Sequence, residues 1–534
     1  MTSAPRSYQL ADLFEAVADA VPDRLALVAG DRRLTYRELD GRATRFAGHL
    51  ASLGLDVGAK MGIYAWNRAE WVEAMLGCFK ARVVPINVNY RYVTDELAYL
   101  LDNADVEVLV FERGFAGPVD ELRGELATLR HLVVLEDGAA GEVDGAVPYE
   151  EALAVASPER PGGERSPDDL YILYTGGTTG MPKGVLWRTE DIYFAAMGGN
   201  GFGPGPVRSA AEVLERIAPE DARMVTLVAP PMMHGAAQWV SFITLFGGGQ
   251  VVLYTGRRFD APEIWRIVER ERCTSITVVG DAMARPLAEA LDEAADAYDT
   301  SSVINVGSGG AIFSAAVKDQ LRRHLPDAFM VDSFGASETG AGSSQLDPSV
   351  GPRFPANEWT AVLGDDLRPV EPGSGVVGRL ARRGHIPLGY HKDEAKTAAT
   401  FLTDPDGVRW AVPGDHGTVD ADGMIALLGR GSGCINSGGE KIYPEEVEAA
   451  LKSHPDVFDA VVVGAPDERF TERVAAIVQP RPGREPSLED LVAHCRTVIA
   501  GYKVPRQLHL VEAIGRTPSG KADHRWAKEH VAGG

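Results

Sequence analysis

Up to about residue 350, apolar runs of strand length alternate with stretches of helical period, and that alternation leaves few folds open. "LTYRELDGRATRFAGHLASLG" reads as a helix and "KMGIYAW" as a strand. "EWVEAMLGCFKARVVPINVN" and "DELAYLLDNADVEVLVFE" each run from helix to strand, and "WRIVERERCTSITVVG" and "VKDQLRRHLPDAFMVDSFG" repeat the step. Strands separated in this way pair in parallel and are covered by helices. The chain, at 534 residues, is too long for one core, so at least two domains are expected. From about Ala361 to Leu428 the character changes to short strands and Gly/Pro turns, a small β-rich subdomain. Beyond it, "PEEVEAALKSH" and "SLEDLVAHCRTVIA" read as helices, and "DAVVVGAP", "RVAAIVQPRPG" and "RQLHLVEAI" as strands. The expected fold class is therefore α/β: a large N-terminal domain of helix-covered sheets with a β-rich subdomain, then a mobile C-terminal α+β domain. The junction falls in "LGRGSGCINSGGEKIYP", where Gly, Ser and Asn offer hinge points.

The formal net charge of −23 argues against nucleic acid or an anionic membrane as a main partner, since both call for a basic surface. It leaves room for small anions in a local basic pocket. Cys78, Cys273, Cys434 and Cys495 are far apart and form no CxxC pair, so neither a disulfide framework nor a zinc site is expected. "MTSAPRSYQLADLFEAVADAV" lacks the apolar core of a signal peptide. The most apolar stretch, "MVTLVAPPMMHGAAQWVSFITLFGGGQVVLY", is interrupted by Pro230, Pro231, His234 and Gln238, which predicts strand–turn–helix–strand rather than a membrane span. A cytoplasmic protein with no integral membrane segment is expected, with a peripheral membrane position an option if the substrate is a lipid.

"YTGGTTGMPKG", Tyr174–Gly184, holds four glycines, three threonines and one lysine. Such backbone can turn its N–H groups toward an anion while hydroxyls and an ammonium add donors around it. Phosphate is the expected guest. The register is not that of G-x-x-x-x-G-K-[ST], because Pro182 precedes Lys183 and Gly184 follows it.

Further segments follow in order: "APPMMHG" with His234, "SGGA" at 308–311, "DSFGASETG" with Glu338, "VPGDHG" with Asp415, "LGRGSG" with Arg430, "NSGGEKIYPEEVE", and "RTPSGKADH" with Lys521. With them the chain resembles the adenylate-forming superfamily of acyl-CoA synthetases, carrier-protein adenylation domains and beetle luciferases, over nearly its whole length. "YTGGTTGMPKGVLWRTEDIY" resembles the actinobacterial synthetases that activate fatty or steroid-derived acids.

The resemblance implies ATP, Mg²⁺ and coenzyme A as reactants or cofactors. It implies an adenylation domain at 1–430 binding ATP and acid, and a mobile domain at 431–534 carrying the catalytic lysine. Thr175, Gly177, Thr178, Thr179, Gly180 and Lys183 would cradle the β,γ-phosphates, with Gly176 where the family commonly has Ser. Gly309, Gly310, Asp332, Ser333, Phe334, Gly335 and Ser337 would meet the adenosine and α-phosphate. Phe334 stands in place of the usual Tyr, and Ser337 in place of Thr. Glu338 would hold magnesium, which prefers one or two carboxylates plus phosphate oxygens. Asp415 would take the ribose hydroxyls and Arg430 would add a fixed cation. Lys521 would bridge the acid and the α-phosphate; Thr178, Glu338 and His234 would complete the catalytic set. His234, Ala236, Gly309 and Gly310 would line the acyl pocket. Gly438, Gly439 and Lys441 would flank the path of coenzyme A, and Ser432 would be the hinge, where relatives carry Asp or Lys.

The chemistry fits these residue types. A carboxylate is a poor electrophile, and joining it to the α-phosphorus of ATP gives an acyl-adenylate with AMP as leaving group. Anions are crowded together in that step, so cations, hydrogen-bond donors and positioning matter more than a base. Gly235, Ala236 and Ala237 after His234 leave room for a broad hydrophobic acid, although helix packing would select the same residues. Two rivals stand beside the acyl-CoA synthetase: an acyl-AMP ligase that loads a carrier protein, and a non-catalytic adenylate-binding protein. A homodimer is the assembly kept in view.

Overall fold

The computed structural model describes residues 7–92, 94–177, 180–200, 205–311, 313–346, 353–430, 433–437, 440–467, 471–517 and 521–533. The chain divides into two compact units. The first comprises Met1–Val278, Asp296–Val306 and His385–Ala399; the second comprises Val279–Ala295, Gly307–Gly384 and Thr400–Gly534.

In the first unit, Val84–Asn87, Lys60–Tyr64, Val106–Glu112, His131–Leu135 and Ala146–Pro148 follow one another across a sheet as parallel neighbours. Leu170–Gly177 continues it in parallel, and Gly180–Arg188 and Gly389–Tyr390 close that edge as antiparallel strands. A second sheet orders Ser275–Val278, Val225–Val228, Gln250–Leu253 and Leu25–Ala29 in parallel, with Arg32–Thr35 antiparallel at its edge. Helix Ala69–Ala81 touches strands of both sheets and is buried from Ala69 to Lys80, which explains why "AEWVEAMLGCFKA" carries apolar residues all round. The apolar stretch around His234 forms strand Val225–Val228, helix Gly235–Phe246 and strand Gln250–Leu253, as its interruptions imply. No helix among the described residues is long and apolar enough to cross a membrane.

In the second unit the β-rich region is a seven-stranded antiparallel sheet. Its path runs Arg353–Pro355, Met424–Arg430, Asp415–Val419, Gly378–Arg382, Arg409–Ala411 and Phe401–Thr403, with Thr360–Leu363 added beside Gly378–Arg382. The C-terminal segment forms a five-stranded sheet centred on Val457–Asp467 and Thr471–Pro480. Side-chain alternation along these strands gives the sheet two cores. Ala460, Val462 and Val474 pack with Val447, Leu451 and Leu491 of helices Pro444–Lys452 and Leu488–Cys495. Val461, Val463 and Ala475 pack with Ala527 and Val531 of helix His524–Gly533. The fold is mixed α/β throughout, as the alternation predicts.

Candidate active site

Most of "YTGGTTGMPKG" is not a loop. Leu170–Gly177 and Gly180–Arg188 pair as a β-hairpin, with Thr175 opposite Lys183 and Gly177 opposite Gly180. Thr178 and Thr179 lie outside the described residues. The Lys183 ammonium meets the Asp393 carboxylate at 3.3 Å and stands 5.9 Å from the centre of the Tyr390 ring. The Asp393 carboxyl sits below its usual range, chiefly because the Lys396 backbone N–H donates to it and further because of Lys183.

Two asparagines that carry no motif hold this region. Asn87, 7% exposed at the end of an otherwise apolar strand, accepts from Tyr174 N at 2.8 Å. Its amide donates to Tyr174 O at 2.8 Å and to Met233 O at 2.7 Å, so one side chain ties the base of the hairpin to the turn before His234. Asn67 accepts from Met232 N at 2.6 Å and donates to the carbonyls of Pro230 and Tyr254. The sequence signal for Asn87 is the polar group itself: an Asn in a buried strand must find partners. His234 is the N-cap of helix Gly235–Phe246, with extended backbone, and its carbonyl accepts from Ala237 N and Gln238 N. The small residues after it serve different ends. A Cβ on Gly235 would lie 2.6 Å from Leu173 Cδ2, and Ala237 is fully buried, so both answer to packing. Ala236 is half-exposed.

In the second unit, "DSFGASETG" forms another hairpin. Strands Phe329–Ala336 and Gly340–Leu346 are antiparallel, and Ser337, Glu338 and Thr339 make the turn between them. The Thr339 hydroxyl accepts from Ala336 N at 3.0 Å, and Thr339 N donates to Ala336 O at 3.0 Å. Gly335 is required by close approach, since a Cβ there would sit 2.3 Å from Gly340 O. Phe334 packs against Phe354 at 5.6 Å and beside Val362, Leu380, Val419 and Ile425 while staying half-exposed. A flat ring braced on an apolar cluster is a fitting wall for a nucleobase.

Asp332 is paired with Lys318 at 2.5 Å, and the Lys318 side chain is almost wholly buried. Burial raises the Asp332 pKa, and Lys318 only partly offsets that. Its carboxylate is thus already committed within the protein. Gly309 ends strand Asn305–Gly309, and Gly310 follows with φ +82°. Asp415, 8% exposed, and Arg430 are directly opposite each other on neighbouring strands, so cross-strand register brings together the backbones of the two residues expected at the ribose. The Arg430 and Lys441 side chains, and Ser432, Gly438 and Gly439 altogether, lie outside the described residues. Glu338 at a hairpin tip fits magnesium's habit of taking one or two protein carboxylates and completing its shell with phosphate and water. Among the described residues, no cluster of three or more His, Cys, Asp or Glu is placed to hold a metal ion.

Lys521 is exposed on a turn whose backbone is tied down. Thr517 N donates to Lys521 O at 2.8 Å, and Arg516 bridges to Ala522. The Arg516 guanidinium pairs with Asp459, which also takes Lys452 at 3.1 Å. Burial works against the Asp459 carboxylate, but Lys452 and Arg516 together bring its pKa below the usual range. Lys521 Cε lies 3.8 Å from the position a Cβ on Gly310 would occupy. The second unit thus carries, within itself, an aromatic wall, a hairpin-tip carboxylate, a buried carboxylate opposite an arginine, and a lysine against a glycine turn.

An AMP-binding enzyme family model matches residues 14–391, and the AMP-binding enzyme C-terminal domain model matches residues 446–521. The chain is 49% identical to a medium/long-chain-fatty-acid–CoA/3-oxocholest-4-en-26-oate–CoA ligase of Mycolicibacterium smegmatis, over 97% of this chain and 96% of that one. It is 48% identical to the 3-oxocholest-4-en-26-oate–CoA ligase of Rhodococcus rhodochrous, over 98% and 96%. A crystal structure of an anthranilate CoA ligase in complex with anthranoyl-AMP shares the fold, with TM-score 0.85 and 23% identity over 99% of each chain.

Proposed function

The chain belongs to the AMP-binding enzymes, and from that membership we propose that it joins a hydrophobic carboxylic acid, of the fatty or steroid side-chain type, to coenzyme A through an acyl-adenylate. The structural observation that carries the reading is Lys521, exposed on an anchored turn and set against Gly310 in the same unit as Glu338, Phe334 and Asp415. In the first step the acid's oxygen attacks the α-phosphorus, the bond from that phosphorus to the bridging oxygen breaks, and pyrophosphate leaves. No proton moves. The Lys521 ammonium offsets the repulsion between the two anions as they approach. Lys183 and the Thr175 strand meet the departing phosphates, Phe334 stacks on the base, and Asp415 accepts from the ribose hydroxyls. Glu338 would hold Mg²⁺, which would supply charge neutralisation at the phosphates.

In the second step the thiol sulfur attacks the acyl carbon, the carbon–oxygen bond to AMP breaks, and the thiol proton passes to solvent. Lys521 is not needed for that step, which suits a division into a domain at 1–430 that binds ATP and acid and a mobile domain at 431–534 hinged near Ser432. His234, at the head of its helix beside half-exposed Ala236, borders the acyl group. ATP and coenzyme A as co-substrates support a cytoplasmic setting for the reaction. The test is pyrophosphate release by the purified protein with ATP and Mg²⁺ over short, long, aryl and steroid carboxylates, followed by acyl-CoA formation on adding coenzyme A. Release that depends on the long-chain or steroid acids supports the reading. No acid-dependent release across the panel overturns it, and an acyl group passed only to a carrier protein would replace coenzyme A in it.

A further inference from the structure

Helix Gly280–Ala294 carries Asp281, Arg285 and Glu289 at spacings of four, so the three share one face. Its first turn is fastened to the loop that holds Gly309 and Gly310: Gly280 N donates to Ser308 Oγ at 2.8 Å, and Ser314 N donates to Asp281 Oδ1 at 2.8 Å. The same face meets the C-terminal segment of the chain. Arg285, 2% exposed, donates to Asp281 at 3.2 Å and stacks its guanidinium 5.3 Å from the centre of the Phe458 ring. Glu289 meets Arg481 at 3.7 Å, and the buried Lys452 ammonium feels Asp281 as well as Asp459 and Glu448.

We propose that this Asp281–Arg285–Glu289 face is the latch that docks the C-terminal domain in the orientation that brings Lys521 to Gly310. The proposal rests on the acyl-CoA ligase reading above, and it names residues that set the balance between the two steps without touching either substrate. Phe458 and Asp459 are adjacent, so the residue under the Arg285 guanidinium leads directly into the one that anchors Arg516 and the Lys521 turn. A single helix therefore fixes both partners, the glycine turn at its head and the lysine turn through its flank.

The contact is built to separate. Arg285 keeps one Nη buried without a hydrogen-bond partner, and Glu289 is shared between two guanidiniums, Arg285 on its own helix and Arg481 across the contact, with Asp292 and Glu293 as further carboxylates of the helix. Arg285 and Arg481 repel each other across Glu289, and burial and that repulsion lower the Arg481 pKa. A permanent interface would have satisfied these groups. One held near balance releases when the second step requires the lysine to withdraw.

The experiment uses Glu289→Arg, at a site 35% exposed and so tolerant of change, and the exchange pair Glu289→Arg with Arg481→Glu. Acyl-adenylate formation is measured by pyrophosphate exchange, and thioester formation from supplied acyl-adenylate and coenzyme A. Reversing one charge of a half-exposed pair should lower the ratio of the first rate to the second about three- to ten-fold, and the exchange pair should restore it. Hydrogen exchange of the 280–294 and 452–459 backbone amides gives a readout independent of activity, with faster exchange in the single variant and recovery in the pair. An unchanged ratio, equal loss of both steps, failure of the pair to restore, or unaltered amide exchange overturns the latch. A wild-type protein with no acid-dependent exchange would instead fail the ligase reading, and the amide exchange would still decide the latch.

Discussion

Lys183 lies midway along a strand, and its side chain is engaged by Asp393 and the Tyr390 ring; Lys521 lies on a turn whose backbone is fastened while its side chain extends outward. The proposed function gives both to phosphate charge, yet they are restrained at opposite ends. The Lys183 side chain is engaged by a carboxylate with which phosphate oxygens would compete. Lys521 follows a backbone that is fastened through Arg516, Asp459 and Lys452. The difference suits their tasks. On the proposed function, a group that grips and lets go of pyrophosphate would exchange partners, whereas one that arrives and withdraws with a domain would need a rigid mount.

The mount is where the largest effect is expected. Asp459→Asn would take from the buried Lys452 its nearest counter-ion and from the part-exposed Arg516 its partner, a change that costs up to about 3–5 kcal/mol. Thermal unfolding should show the loss directly, and a decrease under about 1 kcal/mol would mean the cluster carries no more than a surface pair does. The pH dependence sharpens the point. Because the folded-state pKa of Asp459 is depressed, its stabilisation is fully present above the ordinary carboxylate value and disappears as pH falls through the depressed one. Lys452 has a raised pKa, burial being outweighed by Asp459, Glu448 and Asp281, so its share is present below the ordinary lysine value and lost as pH rises through the raised one. Wild type should therefore lose stability at both extremes, and the variant should lose the share of the acid slope that Asp459 contributes, the other depressed carboxyls keeping theirs.

Next comes the lysine carried by that mount. Lys521→Ala should slow acyl-adenylate formation about 10²–10³-fold, the usual cost of one charge-stabilising group, roughly 2.7–4 kcal/mol. Thioester formation from supplied acyl-adenylate should stay near wild type. Equal damage to the two steps would place Lys521 in the scaffold.

How far the sequence reaches can be read from the same regions. Helix-to-strand alternation gave the layers because burial on both faces leaves its pattern in the residues themselves, as Ala69–Ala81 shows. The residues of "DSFGASETG" and "RTPSGK" were legible as motifs, since tight turns admit few residue types. Register was not. Nothing in the spacing of Asp415 and Arg430 says that they are cross-strand partners, because a shift between His416 and Gly417 intervenes. The Gly-rich segment reads as a loop because glycine weakens a strand, and only the opposing arm makes Thr175 and Lys183 neighbours. Lys318 beneath Asp332 and Phe458 beneath Arg285 are contacts over long stretches of chain, and no local pattern announces them. The small residues after His234 split between packing and exposure only once Leu173 is placed.

Asn87 tests whether the hairpin that carries Lys183 has a mount of its own. Asn87→Ala would strip hydrogen bonds from Tyr174 N, Tyr174 O and Met233 O, buried groups whose loss costs about 1–3 kcal/mol each when nothing replaces the bond. Water entering the space left by the side chain would recover part of it, so a fall of about ten-fold in kcat/KM for ATP is expected. Because Met233 leads into His234, kcat/KM for the acid should fall with it. Loss confined to ATP would separate the hairpin from the acyl side.

The smallest effect lies at Lys183 and sets the two lysines apart most directly. If Asp393 holds Lys183 in the absence of nucleotide, removing its charge should favour ATP. Asp393→Asn is the suitable change because Asp393 Oδ1 also accepts from Lys396 N at 2.9 Å at the start of helix Glu394–Thr400, and asparagine keeps that cap. The pair is a third exposed on each side, so screening limits its strength to about 0.2–1 kcal/mol. KM for ATP should therefore fall by about 1.4- to 5-fold at low salt, with the gain shrinking at high salt as the wild-type pair is itself screened. A KM that is unchanged or higher would show that Asp393 orients Lys183 for nucleotide instead of competing with it, and the contrast with Lys521 would then be one of strength alone.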